Sequence, residues 1–233
     1  DQALARVLAR GCYSNLITTG QTTGWHTQRV DALSFDIANG TQLLGRVQWS
    51  LTGAHNQQNA LVALLAAEHV GVSPAQSIKA LNQFAGVKRR METRGTVNGV
   101  TVYDDFAHHP TAIQTTLEGL RAKVGAERIL AVLEPRSNTM KLGTMAARLP
   151  AALKAADLVF CFGQTEGKQA LGWDPTEVLA SLGTRLQAHN QLDALVHALT
   201  SQARPGDHIV VMSNGGFGGI HTKLLEALAT PRA

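Results

Sequence analysis

Strand patterns that alternate with helical patterns across residues 94–228 predict an α/β fold built on a mostly parallel sheet. Apolar, β-branched runs at 100–104, 128–133, 157–162 and 207–212 are short and bounded by turn residues, as strands covered on both faces are. Helical patterns lie between and after them, at 111–122, 143–155, 175–182, 190–201 and 218–228, with shorter strand candidates at 94–97 and 185–188. Strands joined through helices of this length form βαβ units with right-handed crossovers. Three of the strands also end in polar runs, at the carboxyl edge where α/β sheets bind ligands.

The elements before Gly86 follow a different rhythm. Residues 2–10 read as a helix stopped by Gly11, and the chain enters it straight from Asp1, like the tail of something longer. Residues 15–19 and 28–37 read as strands on either side of a Gly/Thr-rich turn. Asn39-Gly40 is a hairpin signal, with a further strand at 42–51. Thr52-Gly53-Ala54-His55-Asn56-Gln57-Gln58-Asn59 opens a helix to about Val70, with Leu61, Leu64 and Leu65 on its apolar side. Ser73-Pro74-Ala75-Gln76 is a capping box with proline in the first turn, starting a helix through Phe84. Gly86 then marks a boundary, giving units 1–85 and 86–233, the second a Rossmann-like domain.

Composition bounds the function. The 233 residues are 44% hydrophobic, enough for a sizeable core. A net charge of +4 is modest. The one basic cluster (Lys88, Arg89, Arg90, Arg94) has no interleaved aromatics, so it points to an anionic small molecule and not to nucleic acid. No apolar run is long enough to span a membrane. The two cysteines, Cys12 and Cys161, lack metal-ligand spacing, so a reduced cytoplasmic setting is expected, with Cys161 a buried thiol. Oligomeric state is not readable.

The chemistry centres on Val-Tyr-Asp-Asp-Phe-Ala-His-His-Pro-Thr at 102–111, where a strand hands over to a helix. Asp104 and Asp105 fall on opposite faces if the strand runs through them. Either carboxylate suits a ribose hydroxyl or Mg²⁺. His108 or His109 suits a phosphate contact or acid–base work, and His109 also suits an N-cap before Pro110. A turn with solvated charges accounts for the same residues equally well. Glu134-Pro135-Arg136-Ser137-Asn138-Thr139 follows a second strand, with Arg136 as a carboxylate clamp and Ser137 and Asn138 placed to orient an amino acid or peptide. Ser213-Asn214-Gly215-Gly216 follows the last strand and does not match a dinucleotide fingerprint; tight helix–strand packing explains its glycines. Near the first helix start, Asn56 and Asn59 share a face and suit an adenine edge, although N-capping by Asn56 is the plainer reading. The 86–94 run is either a solvated linker or the carrier of an arginine for ATP phosphates. No G-x-x-x-x-G-K-[ST] loop is present.

Three separated runs together resemble the Mur ligases of bacterial peptidoglycan synthesis. Gly53-Ala54-His55-Asn56-Gln57-Gln58-Asn59 is similar to that family's G-x-H-N-x-x-N, Arg89-Arg90-Met91-Glu92 to its interdomain R-[RF]-x-E, and Asp104-Asp105-Phe106-Ala107-His108-His109-Pro110 to its D-D-Y-[AG]-H-H-P. The resemblance covers the whole chain. It implies that residues 1–85 end a central ATP-binding domain and 86–233 form the family's C-terminal domain. The UDP-sugar domain and the phosphate-gripping half would then precede them, so the chain alone would be inactive. It implies ATP and Mg²⁺ as cofactors, His55, Asn56 and Asn59 near adenine, Arg90 on ATP phosphates, and Asp105 on the nucleotide. It implies catalytic roles for Arg90, Asp105 and His108, with His108 or His109 lining the reacting junction, and puts His109, Arg136, Ser137, Asn138 and Asn214 on the incoming substrate. No metal ligand is assigned. The 134–140 and 213–221 runs look most like the family members that join L-Ala-γ-D-Glu-meso-diaminopimelate to UDP-N-acetylmuramate through an acyl phosphate, in peptidoglycan recycling. A muramate–alanine ligase and a non-catalytic peptide-binding module are the alternatives.

Overall fold

The computed structural model describes residues 2–31, 33–51, 53–164, 166–167 and 170–230. Thr52, the first residue of the helix-opening run, lies outside them. The chain forms two compact units, Asp1–Ser50 with Ala54–Phe84, and Leu51–Gly53 with Ala85–Ala233.

The first unit carries α1 (Gln2–Leu8), a three-stranded antiparallel sheet and two helices. The strands are β1 (Trp25–Arg29), β2 (Ser34–Asn39) and β3 (Gln42–Gln48), and the helices α2 (Ala54–His69) and α3 (Pro74–Asn82). Phe35, Ile37 and Val47 of the sheet pack against Ala60, Leu61, Leu64 and Ile78 of the helices. The hairpin at Asn39-Gly40 joins β2 to β3, and Ser73 caps α3 through the reciprocal box with Gln76. Three expectations need correction. Residues 15–19 form no strand; only Thr19 bridges to Trp25. The single strand expected at 28–37 is broken by an Asp31 turn, whose carboxylate accepts from Leu33 N at 2.8 Å and from Ser34 Oγ at 2.6 Å. Helix α2 starts at Ala54, which puts Asn56 inside the first turn and removes its N-cap role.

The second unit is an α/β domain with a six-stranded sheet in the order β4-β5-β9-β6-β7-β8. Its strands are β4 (Glu92–Val97), β5 (Val100–Asp105), β6 (Ile129–Leu133), β7 (Leu158–Phe162), β8 (Leu186–His189) and β9 (His208–Met212). Five run parallel, and only the edge strand β4 is antiparallel, joined to β5 through Asn98-Gly99 at positive φ. Strand residues alternate between two cores. Ile129, Ala131, Leu133, Val159 and Cys161 face α4 (Pro110–Val124), α5 (Asn138–Lys141), α6 (Leu149–Ala152) and the segment of α7 (Pro175–Val178). Leu130, Val132, Phe160, Ile209 and Val211 face α8 (Leu192–Gln202) and α9 (Ile220–Ala229). The fully apolar Ile129–Leu133 run follows directly from burial on both faces. Burial pushes the Cys161 thiol up to about 12, so it stays protonated.

The expected helix at 143–155 is a chain of short turns. Gly143 sits at φ 73° under Trp173, and the helical path resumes only as a 3₁₀ turn and α6. Likewise, the expected 175–182 helix stops at Val178 and continues as a 3₁₀ segment through Arg185.

The topology makes the site. The chain leaves β5 and β6 toward the α4–α7 face, and leaves β9, inserted between them, toward the α9 face. A crevice therefore opens at the carboxyl ends of these three neighbours.

Candidate functional site

Asp104 and Asp105 end β5 on opposite faces, and both are buried, at 5% and 3% exposure. Asp105 accepts from Met91 N (2.8 Å), Ala107 N (2.8 Å) and Thr116 Oγ (3.2 Å). Burial pushes its carboxyl above the ordinary range, against these hydrogen bonds and the nearby Arg90 charge. Asp104 lies at 3.3 Å from Arg89 Nε and 3.5 Å from His221 Nε2 on α9. Burial holds the His221 ring below its usual value, so it is neutral near pH 7.

His108 and His109 differ in what they present. His108 Nδ1 lies 2.8 Å from the Phe106 carbonyl, which can only accept, so Nδ1 carries the proton and Nε2 keeps a lone pair. His109 caps α4, its Nδ1 accepting from Thr111 N at 3.3 Å, which leaves Nε2–H as a donor.

Segment 89–91 bends sharply across this strand end, with Arg89 at φ 59° and Met91 at φ 51°. Arg89 turns inward, and Arg90 remains exposed with its guanidinium 5.6 Å from the Phe106 ring. That leaves Arg90 available to an anion.

The turns after β6 and β9 are knitted together. Ser213 N donates to Asp105 O at 3.1 Å and Glu134 N to Met212 O at 3.0 Å. Ser213 Oγ donates to the Glu134 carboxylate and accepts from Gly215 N. Arg136 lies directly on Gly215: a Cβ built there would stand 2.1 Å from Nη1. Any side chain at 215 would expel the guanidinium, which gives that glycine a use beyond helix packing. Arg136 lines two cavities. One, of about 420 Å³, is bordered by Ser137, Asn138, Lys141, Asn214 and Gly216. The other, of about 300 Å³, is bordered by Glu134, Phe162, Gln164, Leu171 and Phe217. Ser137 also caps α5, accepting from Met140 N at 3.4 Å, and Asn138 is exposed beside it. The Oδ1 of Asn214 is buried without a hydrogen-bond partner, a state that native groups escape when a ligand donor arrives.

The structure thus brings Arg90, Asp105, His108, His109, Arg136, Ser137, Asn138 and Asn214 to one edge of the second unit's sheet. His55, Asn56 and Asn59 belong to the first unit, on the opening turns of α2, with His55 and Asn59 exposed and the buried Ala60 and Leu61 directly after them. Sequence reasoning missed the inward role of Arg89, and the loop after β7 that brings Gln164 and Leu171 to the cavity. That loop is tied to α5 through Trp173 Nε1 to Met140 O (2.7 Å) and Gly172 N to Lys141 O (2.8 Å).

A sheet with this order, and an edge carrying paired aspartates, histidines and an arginine seated on glycine, defines a ligand-binding α/β domain. Residues 89–215 match the model of the Mur ligase, glutamate ligase domain, and the chain belongs to the Mur ligase family. It is 46% identical over 232 residues to the UDP-N-acetylmuramate–L-alanyl-γ-D-glutamyl-meso-2,6-diaminoheptandioate ligase of Escherichia coli, covering 98% of this chain and 50% of that protein. It is 34% identical over 229 residues to a UDP-N-acetylmuramate–L-alanine ligase of Mycobacterium, covering 96% of this chain and 47% of that protein. Among solved structures it is similar to a murein peptide ligase of Psychrobacter arcticus, with a TM-score of 0.74, 38% identity, and coverage of 100% of this chain and 50% of the other. The chain therefore spans about half the length of the relatives it matches. No helix among the described residues is long and apolar enough to cross a membrane.

Proposed function

We propose that this chain supplies the acceptor-binding half of an ATP-dependent amide ligase that joins L-alanyl-γ-D-glutamyl-meso-diaminopimelate to UDP-N-acetylmuramate, working in the bacterial cytoplasm in peptidoglycan recycling. The observation that carries the reading is Arg136, seated on Gly215 between two adjoining cavities and beside the unpartnered Asn214 Oδ1. A guanidinium recognises a carboxylate, and a buried amide oxygen recognises an N–H. An acceptor with an amine at one end and carboxylates along its length needs both. Residues 1–85 would complete the ATP-binding domain, and 86–233 act as the acceptor domain.

ATP, when bound, supplies the phosphoryl group that activates the muramate carboxylate. The exposed Arg90 fits a phosphate, and the polar opening turns of α2, with His55 and Asn59 exposed and Asn56 half-buried, fit an adenine edge. Asp105 is spent on Met91, Ala107 and Thr116, so we assign it the shaping of the 89–91 bend in place of direct nucleotide contact. Mg²⁺ belongs with the nucleotide in this reading, since Asp104 and Asp105 are already committed and no group of three His, Cys, Asp or Glu gathers as a metal cage among the described residues. In this reading His108 Nε2, with its lone pair, takes the proton that the acceptor's ammonium loses to become the attacking amine, and His109 Nε2–H donates to the oxygen that gains charge. Arg136, Ser137, Asn138 and Asn214 hold and orient the peptide.

The test is ADP release by a chain of the relatives' full length, given ATP, UDP-N-acetylmuramate and either tripeptide or L-alanine. Tripeptide-dependent release is expected, with none above background from the present chain alone. Preference for free L-alanine would assign it instead to the muramate–alanine branch.

A further inference from the structure

Arg89 is placed unlike a phosphate-binding arginine. Its Nη2 donates to two backbone carbonyls of the turn after β9, Ser213 O at 2.6 Å and Gly215 O at 2.8 Å. Its Nε reaches Asp104 at 3.3 Å, and its guanidinium lies 5.1 Å from the Phe106 ring. Its backbone is tied too: N donates to Glu92 at 2.9 Å, and O accepts from Phe106 N at 2.7 Å. One residue thereby links the ends of β4, β5 and β9. The left-handed φ of 59° is the cost of bending the chain so that this fork points inward, and such a conformation persists only where its surroundings hold it.

The turn it grips is the one on which Arg136 rests. Fixing the carbonyls of Ser213 and Gly215 from one side sets their peptide planes. The bare face of Gly215 is then held under the Arg136 guanidinium, where not even a Cβ would fit. Asp104 holds Arg89 in turn, and His221 Nε2 stands 3.5 Å from the same carboxylate without a hydrogen bond. The neighbouring Arg90 makes no such contact and stays exposed, so the adjacent arginines divide into an inward brace and an outward charge.

We propose that Arg89, backed by Asp104, is a positioning residue: it holds the 213–215 turn in the shape that seats Arg136 for the acceptor. This rests on the acceptor-site reading above. Lysine cannot replace it, because a single ammonium cannot serve two carbonyls and a carboxylate in one plane.

The experiment uses Arg89→Lys, with Asp104→Asn as a milder weakening of the same brace. Amide hydrogen exchange is read for residues 213–216 in this chain, and steady-state kinetics in a chain of the relatives' full length. For Arg89→Lys, faster exchange confined to that turn is expected, with acceptor KM raised about tenfold and kcat and the KM for ATP unchanged. Asp104→Asn should move the same readouts less. Unchanged exchange in a folded Arg89→Lys overturns the brace whatever the kinetics show. Faster exchange with an unaltered acceptor KM overturns the positioning role, as does a rise in the KM for ATP alone. Failure of the unsubstituted full-length chain to turn over with the tripeptide overturns the acceptor reading instead, and is told apart because the exchange result stands without substrate.

Discussion

Two turns on the same sheet edge use their polar residues in opposite ways. At the end of β5, both carboxylates are buried and taken: Asp105 by two backbone N–H groups and a hydroxyl, Asp104 by Arg89. At the ends of β6 and β9, Arg136 and Asn214 line open space, and Asn214 Oδ1 has no partner. The first turn builds the edge, and the second leaves polar atoms facing open space for the proposed ligand. Clustered charge is thus a poor guide to contact with substrate; what counts is which polar atoms the fold leaves unspent.

The sharpest way to break this contrast is to exchange the expected losses. Asp105→Ala strands the N–H groups of Met91 and Ala107 in the interior and should cost about 2–4 kcal/mol of stability, read by denaturant unfolding. Arg136→Ala, lining a cavity, should leave stability within about 0.5 kcal/mol and weaken acceptor binding about 30-fold or more. A destabilised Arg136→Ala with intact binding would reverse the assignment. Gly215→Ala tests the seat itself. Its Cβ would displace the guanidinium, so acceptor affinity should fall about tenfold in calorimetry with nucleotide affinity unchanged.

The smallest effect concerns pH. His221 has a folded-state pKa below its ordinary value of 6.5 because it is buried, with Asp104 and Glu92 opposing and Arg89 and Arg94 assisting that shift. Its contribution to stability is complete above the unfolded value and is lost as pH falls below about 6.5, where the unfolded chain takes up the proton first. Thermal melts should therefore drop between pH 7.5 and 5.5, and His221→Gln should flatten that slope. An unchanged slope would show that burial of His221 does not set the pH dependence of stability.

Much of the second unit was legible because burial on both faces writes itself as short apolar runs, and each of its six strands lies within a residue or two of its expected span. The helix expected at 143–155 gives way to a tertiary contact, Trp173 packing on Gly143, while the one expected at 175–182 gives way after Val178 to a 3₁₀ segment in which Gly183 takes φ 58°. In the first unit, local side-chain bonding at Asp31 overrode a β-rich composition. In the site, the opposite facing of Asp104 and Asp105 and the His109 cap followed from period and position alone. The inward turn of Arg89 did not, since its carbonyl partners lie 124 and 126 residues away and nothing local announces the bend.

In the proposed reading, the turns after β6 and β9 hold the acceptor through Arg136. Calorimetric titration of L-alanyl-γ-D-glutamyl-meso-diaminopimelate into this chain, with Arg136→Ala in parallel, tests it most directly. Saturable binding of the tripeptide is expected, lost in the variant while the fold is kept. Binding of equal strength to both proteins would contradict it and move the acceptor away from this edge of the sheet.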